Sequence, residues 1–523
     1  MMKLRTRFLL SIVSIGIVFV GVEYAVEKIK TNSSTQTPQV VDFSFEKLQT
    51  RAKELAQKDY TPSKIIDNIK LSNLDYDQYR DIRFNQNEKI FKKSNNFNMQ
   101  LFHIGGLFKS HVKLYLLNKN KAELITYNDK YFDFGKNNLS DDDKKDGGYA
   151  GFRLHYPLNS LKVKDELISF LGASYFRALG FGHKYGISSR GLAIDTATMK
   201  GEEFPSFTEF YIEEPKRNAK TIKVYALLES KSLTGAYSFT IKPGKSTIID
   251  VDSVLYFREK VEKLGIAPLT SMFLYGENNR YSFDDYRPEV HDSDGLLSLN
   301  QKGEWLWRPL DNAKYLRISS FMDENPKGFG LMQRDRNVDH YLDFEANYHE
   351  RPSVWIEPLN NWGKGVVQLV EIPSKSEVND NVVAYFVPNE EIKLDTKYQY
   401  QYRLYFSNDV PENKTTLAKI IATYTGIGGV SGVIGNTSRK FVVEFSSPNL
   451  RRMFGNNELE LDVSSTEGKI ENSYIKYNTS SKGVVAYMDY IPNGKTSELR
   501  IALREKSTKN IISEIWTYQY LPW

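Results

Sequence analysis

At 523 residues, with 40% hydrophobic and 26% charged residues, the chain is too long for one ordinary domain and too apolar to be disordered. It has no cysteine, which excludes a disulfide framework, a thiolate metal site, a cysteine nucleophile and a lipidated-cysteine anchor together. Its net charge of +5 is spread over interspersed acidic and basic residues, with no basic stripe of the kind phosphate binding requires, so nucleic acid is excluded and a neutral ligand is expected.

Lys3, Arg5 and Arg7 precede FLLSIVSIGIVFVGV (8–22), and no charge follows until Glu23. This is the pattern of an export signal. Fifteen uncharged residues suit a signal-peptide core better than a membrane span of about 20, yet the only cleavage candidate, EYA at 23–25, is poor. Residues 1–26 are therefore expected to be either a signal peptide or an uncleaved signal anchor, with a membrane tether through residues 8–22 and the polar stretch 27–41 as linker. Both place the body outside the cytoplasm. Removal of 1–26 takes the charge to +3, since three basic residues leave with one acidic residue.

FSFEKLQTRAKELAQK (43–58) repeats apolar residues at helical spacing and predicts an amphipathic helix before a Pro-containing turn at 61–63. Beyond it, VKLYLL (112–117), FRLHYPL (152–158), TIKVYALLES (221–230), YSFTIKP (237–243) and GVVQLVEIP (365–373) predict strands, being rich in β-branched and aromatic residues and bounded by Gly, Asn, Asp or Pro. Helical spacing recurs at 164–179 and 254–264. GFGHKYGISSRGLAID (180–195) has neither a preceding buried strand nor a Walker lysine, so tight turns are expected there and not a phosphate cradle. Aromatics at 13% fit cross-strand packing. The expected fold is all-β: a large sandwich over 42–408, a linker at 409–416 (DVPENKTT), and a smaller immunoglobulin-like sandwich over 417–523. The last carries KFVVEFS, YIKYN, VVAYMDYI, ELRIAL and EIWTYQYL.

The chemistry-bearing residues concentrate between Tyr286 and Asn381, in YRPEVHDSDG, GEWLWRPL, RPSVWIEP, NNWGKG and SEVNDN. Aromatic faces beside Asp, Glu, Arg and Asn suit sugars, whose C–H faces stack on rings while hydroxyls take polar contacts. HDSDG (291–295) and SEVNDN (376–381) each read equally as turns. Together they put carboxylates on loops flanked by Trp305, Trp307, Trp355 and Trp362, the requirement of inverting glycoside hydrolysis. RDRNVDHYLDFEANYHERP (334–352) alternates charges as a solvated segment does; its functional reading is a lid in which Arg334, Arg336 and Arg351 reach carboxylates or sugar hydroxyls. The seven histidines show no HExxH or close metal spacing, His340 and His349 are expected at the surface, and no GxSxG elbow occurs. No metal and no organic cofactor is expected.

LGASYFRALGFGHKYGISSRGLAIDTA, GEEFPSFTEFYIEEP, LTGAYSF, KLGIAPLTSMFLYG, YRPEVHDS, GEWLWRPL, NPKGFGLMQRDRN and RPSVWIEP with WGKGVVQLVEIP closely resemble the periplasmic glucans biosynthesis protein G/D family (MdoG/OpgG and OpgD), from about residue 42 to the C-terminus and more the G type. The resemblance implies a galactose-mutarotase-like sandwich followed by an immunoglobulin-like domain, and a periplasmic role in making osmoregulated glucans with a β-1,2-linked glucose backbone. It also implies an inverting β-1,2-glucanase activity, with Asp380 as general acid and Asp292 as general base acting through a relay over a substrate hydroxyl, so that a carboxylate separation beyond the usual roughly 6.5–9.5 Å is compatible with catalysis. Tyr286, Arg287, His291, Trp305, Trp307, Arg351, Trp355, Glu357 and Trp362 are the candidate β-1,2-glucan contacts. The alternatives are a non-catalytic escort working with an inner-membrane glucan synthase, and a transglycosylase.

Overall fold

The computed structural model describes residues 40–411, 415–429 and 437–522. The expected export segment, most of the expected tether and residues 412–414 of the expected linker lie outside the described residues. No described helix is long and apolar enough to cross a membrane.

Strands dominate, as the aromatic and β-branched content predicts. A ten-stranded sheet faces the central part of a fifteen-stranded one, and the largest core lies between them. Alternate residues point inward: Phe152, Leu154, Ile168, Phe170 and Phe176 from the first sheet meet Phe210, Val224, Phe239, Val251 and Leu404 from the second. The outer face of the large sheet is covered twice. Near its start lies the helix Phe45–Ala56, capped by Ser44 accepting from Lys47 N, which buries Leu48 and Ala52 against Tyr211, Leu227 and Val254. Farther along lie the strands after residue 417. Lys419–Ile427, Arg439–Ser446, Gly483–Ile491 and Lys469–Asn478 form a four-stranded sheet, while Ile515–Tyr520 pairs parallel with Trp305–Pro309 and so continues the fifteen-stranded sheet.

Two predicted helices are strands. Residues 164–179 form a hairpin-like pair, Val163–Leu171 and Tyr175–Ala178, because Gly172 and Ala173 take φ +77° and +42° and turn the chain. Residues 254–264 begin inside strand Thr247–Phe257, where Leu255 and Phe257 face the central core while Val254 and Tyr256 face the helix Phe45–Ala56. Apolar residues on both faces imitate helical spacing over so short a run.

Candidate active site

The face of the ten-stranded sheet turned away from the core is polar. Register places Gln100 opposite Arg153, Arg153 opposite Ser169, and Ser169 opposite Arg177. Arg177 Nε donates to Ser188 Oγ, and Ser188 lies opposite Thr270. Two residues along, Arg190 lies over the Tyr175 ring at 5.2 Å and donates to Glu202 at 2.6 Å. A separate cleft of about 170 Å³ lies between Tyr60, Phe108, His111 and Phe207 and reaches this face at Leu171 and Tyr175.

Asp380 ends the loop that leads into strand Val382–Pro388 and stands beside this row. Its side chain is 9% exposed, its Oδ2 has no hydrogen-bond partner, and the Arg177 guanidinium is 3.7 Å from that oxygen. Burial pushes the carboxyl up to about 6; Arg177 pulls against the shift and the Asp292 charge adds to it. The next residue fixes the loop. Asn381 Oδ1 accepts from Phe273 N at 2.9 Å, and its Nδ2 donates to Phe273 O and Ile372 O at 3.0 Å.

Phe273 belongs to the strand that pairs with Val290–His291, and Asp292 N donates to Met272 O at 2.8 Å, so both aspartate-bearing segments are anchored at Met272–Phe273, one through the Asn381 side chain and one through the backbone. Asp292 is buried and ion-paired with Arg351 Nη1. Arg351 in turn lies over the Tyr348 ring at 4.2 Å and donates to Ala346 O. Its stem passes Gly186, where an added Cβ would stand 2.9 Å from Arg351 Cβ. The glycine-rich turn at 180–186 is thus a seat for Arg351.

Arg287 ties the site together. Its guanidinium donates to Asp285 in its own loop, to Asp343 at 2.9 Å and to Glu377 at 2.8 Å, and Glu377 also accepts from Tyr348 OH at 2.9 Å. Those three segments carry Asp292, Arg351 and Asp380. Arg287 is therefore committed to protein carboxylates and not open to a sugar, a correction to its expected role.

His291 is also committed. Its ring nitrogens lie 2.9 Å from Glu289 Oε2 and Gln333 Oε1; burial disfavours the imidazolium, but the Glu289 carboxylate outweighs it and lifts the pKa to about 9. Gln333 in turn donates to His291 O, Tyr341 OH and Tyr348 O. Glu289, Asp335 and His340 bring ligand atoms within 4.8 Å of one another, but Glu289 is paired with His291, and Asp335 with His340. His340 is exposed as expected, whereas His349 is only half-exposed.

The tryptophans are corrected too. Trp305, Trp307, Trp355 and Trp362 are 1–5% exposed. Trp305 stacks on Trp355 at 5.5 Å and Trp307 lies 4.0 Å beneath Arg334, both in the core that joins the large sheet to the strands after 417; Trp362 packs among Phe386, Tyr400 and Tyr402. Glu357 bonds Trp355 Nε1 and Tyr405 OH at 3.1 Å each. None of these rings offers a face to a sugar, because each sits between packed layers. Of the expected contacts, only Tyr286 is well exposed. In the segment 334–352, Arg334 forms a bidentate pair with Glu514 at 2.7 Å and Arg336 donates to the carbonyls of His349, Arg351 and Asn408. Only Arg351 of its three arginines reaches a carboxylate of the site.

Sequence reasoning missed Arg177, Ser188, Asn381, Asp343 and Glu377. The alternation in YFRA and SSR would have placed Arg177 and Ser188 on one face had 175–190 been read as strands.

A family model described as "Periplasmic glucan biosynthesis protein, MdoG" matches residues 43–520. "Glucans biosynthesis protein G" of Ralstonia nicotianae is 44% identical over 490 residues, 92% of this chain and 96% of that protein. "Probable glucans biosynthesis protein D" of Shewanella oneidensis is 41% identical over 491 residues (93% and 90%), and "Glucans biosynthesis protein D" of Stenotrophomonas maltophilia 42% over 490 (93% and 90%). G- and D-named relatives thus match almost equally.

Proposed function

Because this chain belongs to the MdoG family of periplasmic glucan biosynthesis proteins, we propose that it acts in the periplasm on a β-1,2-linked glucan backbone and cleaves it with inversion of configuration. Asp380 is the general acid and Asp292 the general base. The observation that carries this reading is the state of Asp380: a buried carboxyl with an unpartnered oxygen and a pKa near 6, beside an aspartate that is already ion-paired. Inverting hydrolysis asks for that division, one carboxyl keeping its proton for the leaving oxygen and one taking a proton from water.

In this scheme Asp380 donates its proton to the glycosidic oxygen as the C1–O bond breaks. Water attacks C1 from the opposite face and its proton passes to Asp292, directly or over a sugar hydroxyl. Arg351 balances the Asp292 charge until that proton arrives. Arg177 keeps the deprotonated Asp380 from being stranded without a counter-charge after transfer.

The test is incubation of wild type and Asp380→Asn with linear β-1,2-glucan, following product size and anomeric configuration. Shorter glucans of inverted configuration from wild type, with a loss of at least about 10²–10⁴-fold in the variant, support the reading. Equal cleavage by both proteins sinks the assignment of Asp380. Since Asp380 must hold its proton, the rate should fall as pH rises through about 6.

One observation favours a second reading, escort of glucan without turnover: Asp292 is buried and held by Arg351. Binding with no cleavage by either protein would support it, and longer products would indicate transglycosylation, a sugar hydroxyl replacing water.

A further inference from the structure

Among the described residues, the four most exposed aromatic rings are Tyr286 (74%), Phe344 (73%), Tyr315 (68%) and Tyr281 (63%), and all four stand on cross-linked loops around the Asp380 segment. Tyr286 adjoins Arg287, and Phe344 adjoins Asp343, the two joined at 2.9 Å. Tyr315 shares a loop with Asn312, whose amide bonds Ser374 in the Asp380 loop and Leu274 O in strand Phe273–Tyr275. Tyr281 follows Asn279, which donates to Asp311 in the Tyr315 loop at 2.7 Å.

Such a concentration is unusual, since most large aromatic residues elsewhere among the described residues fill the cores and the other exposed ones are scattered along the chain. It marks an interaction surface. The character of the surface points to carbohydrate and not to protein. Three of the four rings carry a phenolic hydroxyl, and among the described residues no stacking or edge contact joins any two of them, so they are separate platforms and not a continuous apolar patch. Charged groups stand beside them: the carboxylates of Asp285 next to Tyr286 and Asp343 next to Phe344, and Lys314 with its Nζ 5.5 Å over the Tyr315 ring. Separate rings with charged neighbours match alternating C–H faces and hydroxyls along a sugar chain.

We propose that these rings form a glucan-binding surface outside the cleavage position, holding chain segments that run on from the sugars at Asp380. The idea rests on the glucan reading above but not on turnover. Its consequence is a preference for long chains, because remote contacts add binding energy that a short oligosaccharide cannot reach.

The experiment uses the full chain carrying Asp380→Asn, so that no substrate is consumed, and titrates it with long linear β-1,2-glucan and with a short oligosaccharide of the same linkage. Phe344→Ala, Tyr315→Ala and the double change are added in that background; both side chains are exposed, and thermal unfolding checks that the fold is kept. Each single change should weaken long-chain binding by about three- to tenfold and the double change by about the product, with a smaller shift for the short oligosaccharide. Long-chain affinity unchanged within about twofold in the double variant overturns the surface while leaving the glucan reading intact. Equal weakening for both lengths overturns it as well, since the rings would then belong to the cleavage position. No glucan binding by the Asp380→Asn parent overturns both the surface and the glucan reading.

Discussion

Arg334 and Arg287 hold carboxylates in opposite ways. Arg334 meets one carboxylate, Glu514, with both side chains buried; the pair is bidentate at 2.7 Å across the boundary between the large sandwich and the strands after 417, and the guanidinium also donates to Ile420 O. Arg287 meets three partners on three loops, with an excess of negative charge around one guanidinium. The first arrangement is neutral and closed, as a weld should be; Trp307 under the guanidinium and the Trp305–Trp355 stack finish it. The second holds together only while the cation is present. One joins layers that are already packed, and the other sets the relative position of Asp292, Arg351 and Asp380.

The comparison breaks most visibly at the weld. Arg334→Ala leaves Glu514 buried and unpaired, so it should lower stability by about 3–5 kcal/mol, read as a drop in the denaturation midpoint. Rates measured on the folded fraction should stay close to wild type. If Arg334→Ala instead cut the rate with little change in stability, the assignment of weld and tie would be reversed.

Asp380 supplies the next effect because it has neither arrangement. Its folded pKa of about 6 lies above the ordinary 3.8, so the folded state holds the proton more tightly than the unfolded chain does. Below 3.8 there is no penalty; as pH rises through about 6 the penalty grows to about 3 kcal/mol, being the difference between the two values. Asp380→Asn should therefore be more stable than wild type at pH 7.5 by up to that amount, and not at pH 3.5. Equal differences at both pH values would show that Asp380 is not shifted.

Arg287→Met keeps the stem and removes the charge. Loops that lose their common partner should let the three site residues drift, and a displacement of about 1 Å is worth about a hundredfold in rate. The expectation is that fall in kcat with KM changed less than about threefold, and a stability loss of about 1–3 kcal/mol, less than at Arg334 because Asp285 and Glu377 are partly exposed. Arg287→Lys should recover part of the rate. A rise in KM with kcat kept would instead make Arg287 a sugar contact, as its place in YRPEVHDS first suggests.

That contrast also explains what was legible in the sequence. Strand Tyr398–Ser407 announces itself by alternation, with Tyr398, Tyr400, Tyr402, Leu404 and Phe406 all in one core, and the helix Phe45–Ala56 by its apolar stripe. Residues 254–257 do not, having cores on both sides. Tryptophans at 305, 307 and 355 look like sugar platforms in one dimension; that they lie beneath the strands after 417 depends on the parallel pairing of Leu306 with Ile515, a contact across more than two hundred residues. Asp380 and Asp292 were singled out by resemblance to a family; both side chains are buried, and the close Arg351 ion pair that Asp292 has and Asp380 lacks is a property of the fold. Arg287 shows the same limit: its residue type suits a sugar contact and a structural tie equally, and only the positions of Asp343 and Glu377 decide between them.

The smallest effect, and the most discriminating, belongs to Glu377→Gln. Glu377 is the more exposed of the two distant partners of Arg287, and its Oε2 accepts from both Arg287 and Tyr348. Glutamine keeps an acceptor there and removes one of three negative charges, so Asp285 and Asp343 still satisfy the guanidinium. Because a partly exposed ion pair contributes about 0.2–1 kcal/mol, the rate should fall by only about two- to fivefold, and added salt should narrow the gap from wild type. Asp343→Asn should do more: Asp343 is the less exposed, and its Oδ1 also accepts from the Glu345 and Ala346 amides, so the change disturbs the turn that leads to Arg351. The order Arg287, then Asp343, then Glu377 is what a single cation holding three loops requires. An equal loss at all three positions would mean instead that the knot acts as one rigid block.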